Sequence, residues 1–257
     1  MAINQTVYHE AYGSGVPLVL LHGWGWHSSI WQPIVPELAK HFRVILVDLP
    51  GFGKSPLFDN EYTLENIARQ IINIFPMPAH WLGWSMGGLV TSWIAAHYPH
   101  FVKKHILVTS TPCFIQAENW PGISLSILND FSHNLMVNCE QILNNFLLLQ
   151  VKGSAKPREL IRQLRAKLFE FEPNLAALQY GLALLRQTDL RETRIAKNPS
   201  LYIFGNNDAL VPVAVREAIQ LLSPDSYFSI IKEASHLPFL SHPKEFLTLI
   251  LDFIRSD

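Results

Sequence analysis

Trp81-Leu82-Gly83-Trp84-Ser85-Met86-Gly87-Gly88 is the stretch from which the rest of the chain can be ordered. An apolar run of strand character, Trp81–Trp84, stops at a serine flanked by glycines, and the residues from Met86 to His97 then follow a helical pattern. A serine on such a strand-to-helix turn sits on strained backbone. The neighbouring glycines, lacking a β-carbon, let strand and helix close up so that its hydroxyl projects. The first turn of the following helix offers free N–H groups and the positive end of the helix dipole, which favour a developing negative oxygen. The pattern is that of a nucleophilic serine.

Working outward, short apolar runs alternate with amphipathic stretches. Strands are expected at Val16–Leu21, Phe42–Val47, Trp81–Trp84, His105–Val108, Leu201–Phe204 and Tyr227–Ile231. Helices are expected at Ile30–Ala39, Thr63–Phe75, Met86–His97, Val213–Leu222 and Lys244–Ile254. Alternation of this kind builds an α/β protein, a mostly parallel sheet flanked by helices, with functional residues beyond the carboxyl ends of the strands. Between 112 and 188 the alternation stops and helical segments follow one another: Cys139–Gln150, Arg158–Phe169 and Asn174–Arg186. Residues 1–111 and 189–257 are therefore expected to form one core, with 112–188 as an inserted helical cap. At 257 residues and 49% hydrophobic content, one such core is sufficient.

A serine hydroxyl needs a base to take its proton. Of 11 histidines, those that follow the late strands are His236 and His242, as the chain order serine, acid, histidine requires. His236 lies in Ala234-Ser235-His236-Leu237-Pro238, directly after a strand, whereas His242 precedes Pro243 at the start of the last helix. His236 is the expected base. The orienting carboxylate is expected at Asp208, after Leu201–Phe204. Asp189 and Asp225 read as ordinary loop charges, and Asp48 precedes Ser85 and breaks the order. Two backbone donors for an oxyanion are expected from Met86 and from Trp24 in Leu21-His22-Gly23-Trp24-Gly25, with His22 holding that loop. Asp48-Leu49-Pro50-Gly51-Phe52-Gly53-Lys54-Ser55 fails as a phosphate loop, since Asp48 stands where the first glycine belongs. Neither a dinucleotide fingerprint nor a metal-ligand cluster is visible, so a cofactor-free enzyme is expected.

The 20 basic and 21 acidic residues, net −1, lack the basic excess of a nucleic-acid binder. No apolar run is long enough to span a bilayer. Met1–Thr6 carries no secretory pattern, and Cys113 and Cys139 have no ligand spacing, so a cytoplasmic protein with buried thiols is expected. One stretch is locally charged: Lys152, Lys156, Arg158, Arg162, Arg165 and Lys167 against the single acid Glu159, a local charge of about +5. Arg158, Arg162 and Arg165 share one helix face, and Leu160, Leu164 and Leu168 the other.

Several motifs together resemble a known family. They are Leu21–Gly25, Trp81–Gly88, Thr111-Pro112-Cys113-Phe114 with Trp120-Pro121-Gly122, and Phe146-Leu147-Leu148-Leu149-Gln150. Asp189-Leu190-Arg191, Asp208-Ala209-Leu210-Val211-Pro212 and His236-Leu237-Pro238-Phe239-Leu240-Ser241-His242-Pro243 continue the match. Throughout its length the chain resembles an α/β-hydrolase, and more specifically the pimeloyl-acyl-carrier-protein methyl ester esterases of biotin synthesis. The resemblance implies hydrolysis of a methyl ester carried by an acyl carrier protein, with Ser85, Asp208 and His236 as triad and Trp24, Met86 and Phe146 lining the substrate site. It also implies a strongly acidic carrier as partner, to which the basic face of Arg158, Arg162 and Arg165 is suited. Gln141 and Asn145 depart from it, because other members carry arginines there. Two rival readings share the motifs: a general short-chain carboxylesterase, and a non-catalytic receptor that keeps the pocket. Haloalkane dehalogenase or epoxide hydrolase chemistry would want aspartate at Ser85.

Overall fold

The computed structural model describes residues 6–193 and 198–256. In chain order it runs β1 (His9–Tyr12), β2 (Pro17–Leu21), α1 (Val35–Leu38), β3 (Arg43–Val47), α2 (Leu64–Ile74), β4 (Ala79–Trp84), α3 (Met86–His97) and β5 (Val102–Val108). Four helices follow without an intervening strand: α4 (Leu125–Leu135), α5 (Cys139–Val151), α6 (Pro157–Leu168) and α7 (Leu175–Gln187). The core resumes with β6 (Ser200–Gly205), α8 (Val215–Leu222), β7 (Tyr227–Ile231), α9 (Pro238–Ser241) and α10 (Pro243–Arg255).

The strands form one sheet in the order β1-β3-β2-β4-β5-β6-β7. All pairs are parallel except β1 with β3. The central strands β4 and β6 are buried at every residue, which is why they read as unbroken apolar runs. After β2 the chain places β3 on one side and β4 on the other. The loops leaving β2 and β4 therefore diverge and open a crevice between them, the position where such sheets bind ligands. Leu21 pairs with Gly83 at its floor.

Helix starts follow local chemistry. Side-chain oxygens of Thr63, Asn138 and Asn174 accept from the N–H groups of Asn66, Gln141 and Ala177 and so cap α2, α5 and α7. The single helix expected over Ile30–Ala39 is instead a 3-10 turn, Ser28–Trp31, followed by the four-residue α1. Pro33 and Pro36 supply no N–H to continue a helix through that segment. Strand β1 was not among the expected strands. It is a four-residue edge strand with no buried residue, so it carries no apolar run to read.

Candidate active site

The turn after β4 has the predicted strain: Ser85 has φ 53° and ψ −121°. A β-carbon on Gly83 would stand 2.5 Å from Thr91 Oγ1, and one on Gly87 would stand 2.6 Å from the His22 carbonyl oxygen. Neither position admits a side chain, so strand, turn and helix are locked by close backbone approach. The turn is also held from β5 and beyond: Ser85 N–H donates to the Val108 carbonyl at 3.0 Å, and Ser110 Oγ donates to the Ser85 carbonyl at 2.8 Å. Met86 opens α3, and the first N–H groups of a helix have no partner within it.

The loop after β2 runs alongside. A β-carbon on Gly23 would lie 3.1 Å from Ser85 Cβ, so Gly23 borders the serine directly and Trp24 is the next residue along the loop. His22 is the post of this loop: its Nδ1 lies 2.8 Å from the Gly23 carbonyl, and its Nε2 accepts the Leu49 N–H at 2.9 Å. Donating from Nδ1 while accepting at Nε2 requires a neutral ring. Complete burial pushes the His22 pKa down to about 4, against the opposing attraction of the Asp48 carboxylate.

Asp208 and His236 arrive from the loops after β6 and β7. Their side chains are fully buried and joined at 2.8 Å between Oδ2 and Nδ1. A carboxylate only accepts, so this bond puts the proton on Nδ1 and leaves Nε2 as the lone-pair nitrogen. The other carboxylate oxygen accepts the N–H groups of Leu210 at 2.8 Å and Val211 at 3.1 Å, which fix its orientation. The His236 carbonyl accepts from Trp84 Nε1 at 2.8 Å and Thr109 Oγ1 at 3.0 Å, drawing the histidine loop onto the strand that ends in Ser85. His236 Nε2 is buried with no hydrogen-bond partner, and no hydrogen bond joins it to Ser85 in this structure.

Above the serine the cap supplies the wall. Phe146 of α5 meets the Trp24 ring edge to face at 4.7 Å, and Trp24 Nε1 donates to the Leu178 carbonyl of α7 at 2.8 Å. A β-carbon on Gly181 of α7 would stand 2.5 Å from Trp24 Cδ1 and 3.2 Å from Met86 Sδ, so α7 lies flush on both. Trp24, Met86, Phe146 and Ser85 are all buried together. A cleft of about 520 Å³ lies elsewhere, on the cap between α5 and α6, lined by Gln141, Asn145, Leu148 and Arg165 among others.

Of the expected site residues, the structure pairs Asp208 with His236 on the loops after β6 and β7 and buries Trp24, Met86 and Phe146 together with Ser85. Arg158, Arg162 and Arg165 lie apart from these. They are exposed on α6, while Leu160, Leu164 and Leu168 are buried on its other side, and Arg165 reaches Glu140 at 3.4 Å. His242 stands aside as the residue before α10, with its Nδ1 on Ser241 Oγ at 2.9 Å. Thr109, Trp26 and Gln150 were missed by sequence reasoning. Of these, only Gln150 left a trace, as the polar residue closing the run Phe146-Leu147-Leu148-Leu149.

Comparison with known proteins places the chain in a family. A family model described as alpha/beta hydrolase fold matches residues 16–243. The pimeloyl-[acyl-carrier protein] methyl ester esterase of Aeromonas hydrophila subsp. hydrophila is 44% identical over 248 residues, covering 95% of this chain and 98% of that protein. The chain belongs to this esterase family, within the α/β-hydrolases. The family's enzyme of the same name from Yersinia pseudotuberculosis is 40% identical over 254 residues, covering 98% of both chains. Among solved structures, an esterase from Exiguobacterium antarcticum superposes with a TM-score of 0.88 at 23% identity, over 97% of this chain and 96% of that one. A bromoperoxidase from Bacillus anthracis superposes with a TM-score of 0.89 at 24% identity, over 97% and 95%. At such identity the two structures show the fold that the family shares. Among the described residues, no helix is long and apolar enough to cross a membrane.

Proposed function

We propose that this chain hydrolyses the methyl ester of pimeloyl-acyl-carrier protein, releasing methanol and the free carboxylate, with Ser85 as nucleophile, His236 as general base and Asp208 as orienting acid. The observation that carries the reading is the buried histidine whose Nδ1 is committed to Asp208 while its Nε2 is left without a partner. That nitrogen has a free lone pair suited to take the serine proton.

As Ser85 Oγ attacks the ester carbonyl, its proton passes to His236 Nε2. The carbonyl oxygen becomes an oxyanion beside the N–H groups of Trp24 and Met86. Collapse expels the methoxy group, which takes the proton from His236 and leaves as methanol. Water then gives a proton to the same nitrogen and attacks the acyl-serine. As the second tetrahedral intermediate collapses, Ser85 Oγ leaves and takes the proton back from His236, and the acid is released as the carboxylate. Asp208 stabilises the imidazolium in both halves without taking the proton. Trp24, Met86 and Phe146 form an apolar surround at Ser85 whose chemistry suits a methylene chain.

The carrier is the second part of the proposal. Arg158, Arg162 and Arg165 are offered to solvent on one face of α6 and suit an acidic protein. The two cysteines are unpaired, which supports the reading of a cytoplasmic enzyme. The test is product analysis with methyl pimeloyl-carrier protein beside a short free ester. Methanol and free carboxylate from the carrier-bound substrate, absent with Ser85→Ala, support the reading. Turnover of the short ester alone would make the chain a general carboxylesterase, and no reaction of Ser85 with a fluorophosphonate would make it a non-catalytic member.

A further inference from the structure

Helix α5 ends where cap and core meet. The last four carbonyls of a helix lack donors within it and must be met from outside. Here the core meets them: the Gln150 carbonyl accepts the His236 N–H at 3.1 Å, and just beyond the helix the Gly153 carbonyl accepts from Asn207 Nδ2 at 2.8 Å. Asn207 adjoins Asp208, so one turn of the cap sits on both loops that carry the paired histidine and aspartate. Its seating is close. Gly153 has φ +86°, and a β-carbon there would stand 2.7 Å from Asn207 Cβ and 2.9 Å from the Asn207 carbonyl oxygen.

The Gln150 side chain ties this turn to a third loop. It is 0% exposed, its Oε1 accepts from Trp26 Nε1 at 2.9 Å, and its Nε2 is buried with no partner. Trp26 follows Trp24 on the loop after β2, and its ring lies 6.2 Å from that of Trp84, which holds the His236 carbonyl. A buried amide with an unmatched N–H costs stability that a leucine would avoid, and three leucines already precede it. Packing of the cap does not explain this glutamine.

We infer that Gln150 is a positioning residue for His236: it anchors the end of α5 to Trp26 by its side chain and to the His236 N–H by its carbonyl, so the imidazole is held from the cap as well as from the core. This rests on His236 being the general base. The alignment of the base with Ser85 then depends on how the cap is seated, and turnover is coupled to cap position.

The test uses Gln150→Leu, Trp26→Phe, the double variant and Gly153→Ala in the full chain. A short free ester is the substrate, and kcat is expressed per active site titrated with a fluorophosphonate. Gln150→Leu should lower kcat per site by about 10- to 100-fold with KM nearly unchanged, as expected of a base displaced by a fraction of an ångström. The double variant should lose no more than its worse single, because both changes break one bond. Gly153→Ala, which lifts the turn without altering a side chain beside Ser85, should lower kcat in the same sense. Wild-type kcat per titrated site in Gln150→Leu, whatever its melting temperature, or a change confined to KM, overturns the inference. If Gln150→Leu does not fold, Gly153→Ala decides by the same measure. His236→Ala runs alongside: undiminished turnover there removes the base assignment itself, whereas its loss together with a normal Gln150→Leu removes only the positioning role.

Discussion

The loops at the carboxyl edge of the sheet and the basic face of α6 are both polar, yet they are held in opposite ways. Asp208 and His236 have no exposed side-chain surface, and both oxygens of the carboxylate are matched by donors at fixed distances. Arg158 and Arg162 make no ion pair among the described residues, and the bridge from Arg165 to Glu140 is between two exposed side chains. Buried groups that must be satisfied have one allowed arrangement, whereas exposed charges contribute little to stability and are free to meet a partner. In the proposed function, the chemistry lies where geometry is obligatory, and the choice of a protein-borne substrate lies where it is not.

The contrast should be sharpest when the buried side is broken. Ser85→Ala or His236→Ala should lower kcat/KM by roughly 10⁴-fold or more on any ester, while His242→Ala should change it little. Steady-state rates on carrier-bound and free substrates measure this. A large loss in His242→Ala with His236→Ala intact would reverse the assignment of the base.

The backbone locks behind the serine come next. Gly83→Ala would put a methyl group 2.5 Å from Thr91 Oγ1, and this overpacking should cost roughly 1–3 kcal/mol, read from the urea midpoint. An unchanged midpoint would mean that strand and helix have room to separate.

A graded effect of pH follows from the buried histidines. Burial pushes His22 and His80 down from 6.5 to about 4, and His105 to about 3. Below about pH 6.5 the unfolded chain binds protons that the folded chain refuses, so stability should be complete above that pH. It should fall steadily as pH drops from about 6.5 to about 4, where the folded state begins to take up protons too. Urea midpoints at several pH values check this, and a flat profile between pH 7 and 5 would contradict neutral buried rings.

The least effect is expected on the exposed side. Arg158→Glu with Arg162→Glu should reduce kcat/KM for the carrier-bound ester by roughly two- to tenfold at low salt, less at high salt, and leave a short neutral ester unchanged. Equal losses on both substrates would point to a damaged cap instead.

Much of this was legible in advance because it is local. The turn at Ser85 needs only glycines at the right spacing between a strand and a helix, and five of the six expected core strands carry mostly apolar, buried residues into the sheet. The sixth, β7, is half exposed at the sheet edge and was still legible as a short apolar run. Strand β1 escaped because an exposed four-residue edge has no buried alternation, and the expected helix at Ile30–Ala39 failed because Pro33 and Pro36 outweigh its apolar spacing.

By itself the sequence determined the fold class and the two faces of α6, since each is a matter of spacing along the chain. Only the tertiary structure decided that Asp208 takes the Nδ1 proton bond of His236 across 28 residues, that His22 is neutral, and that Gln150 at the end of a leucine-rich helix is buried against Trp26 and His236. The physical reason is that periodicity and turn chemistry act between neighbours, whereas which buried polar groups meet depends on long-range packing. A glutamine among leucines does not announce its partner until the helix is laid against the sheet.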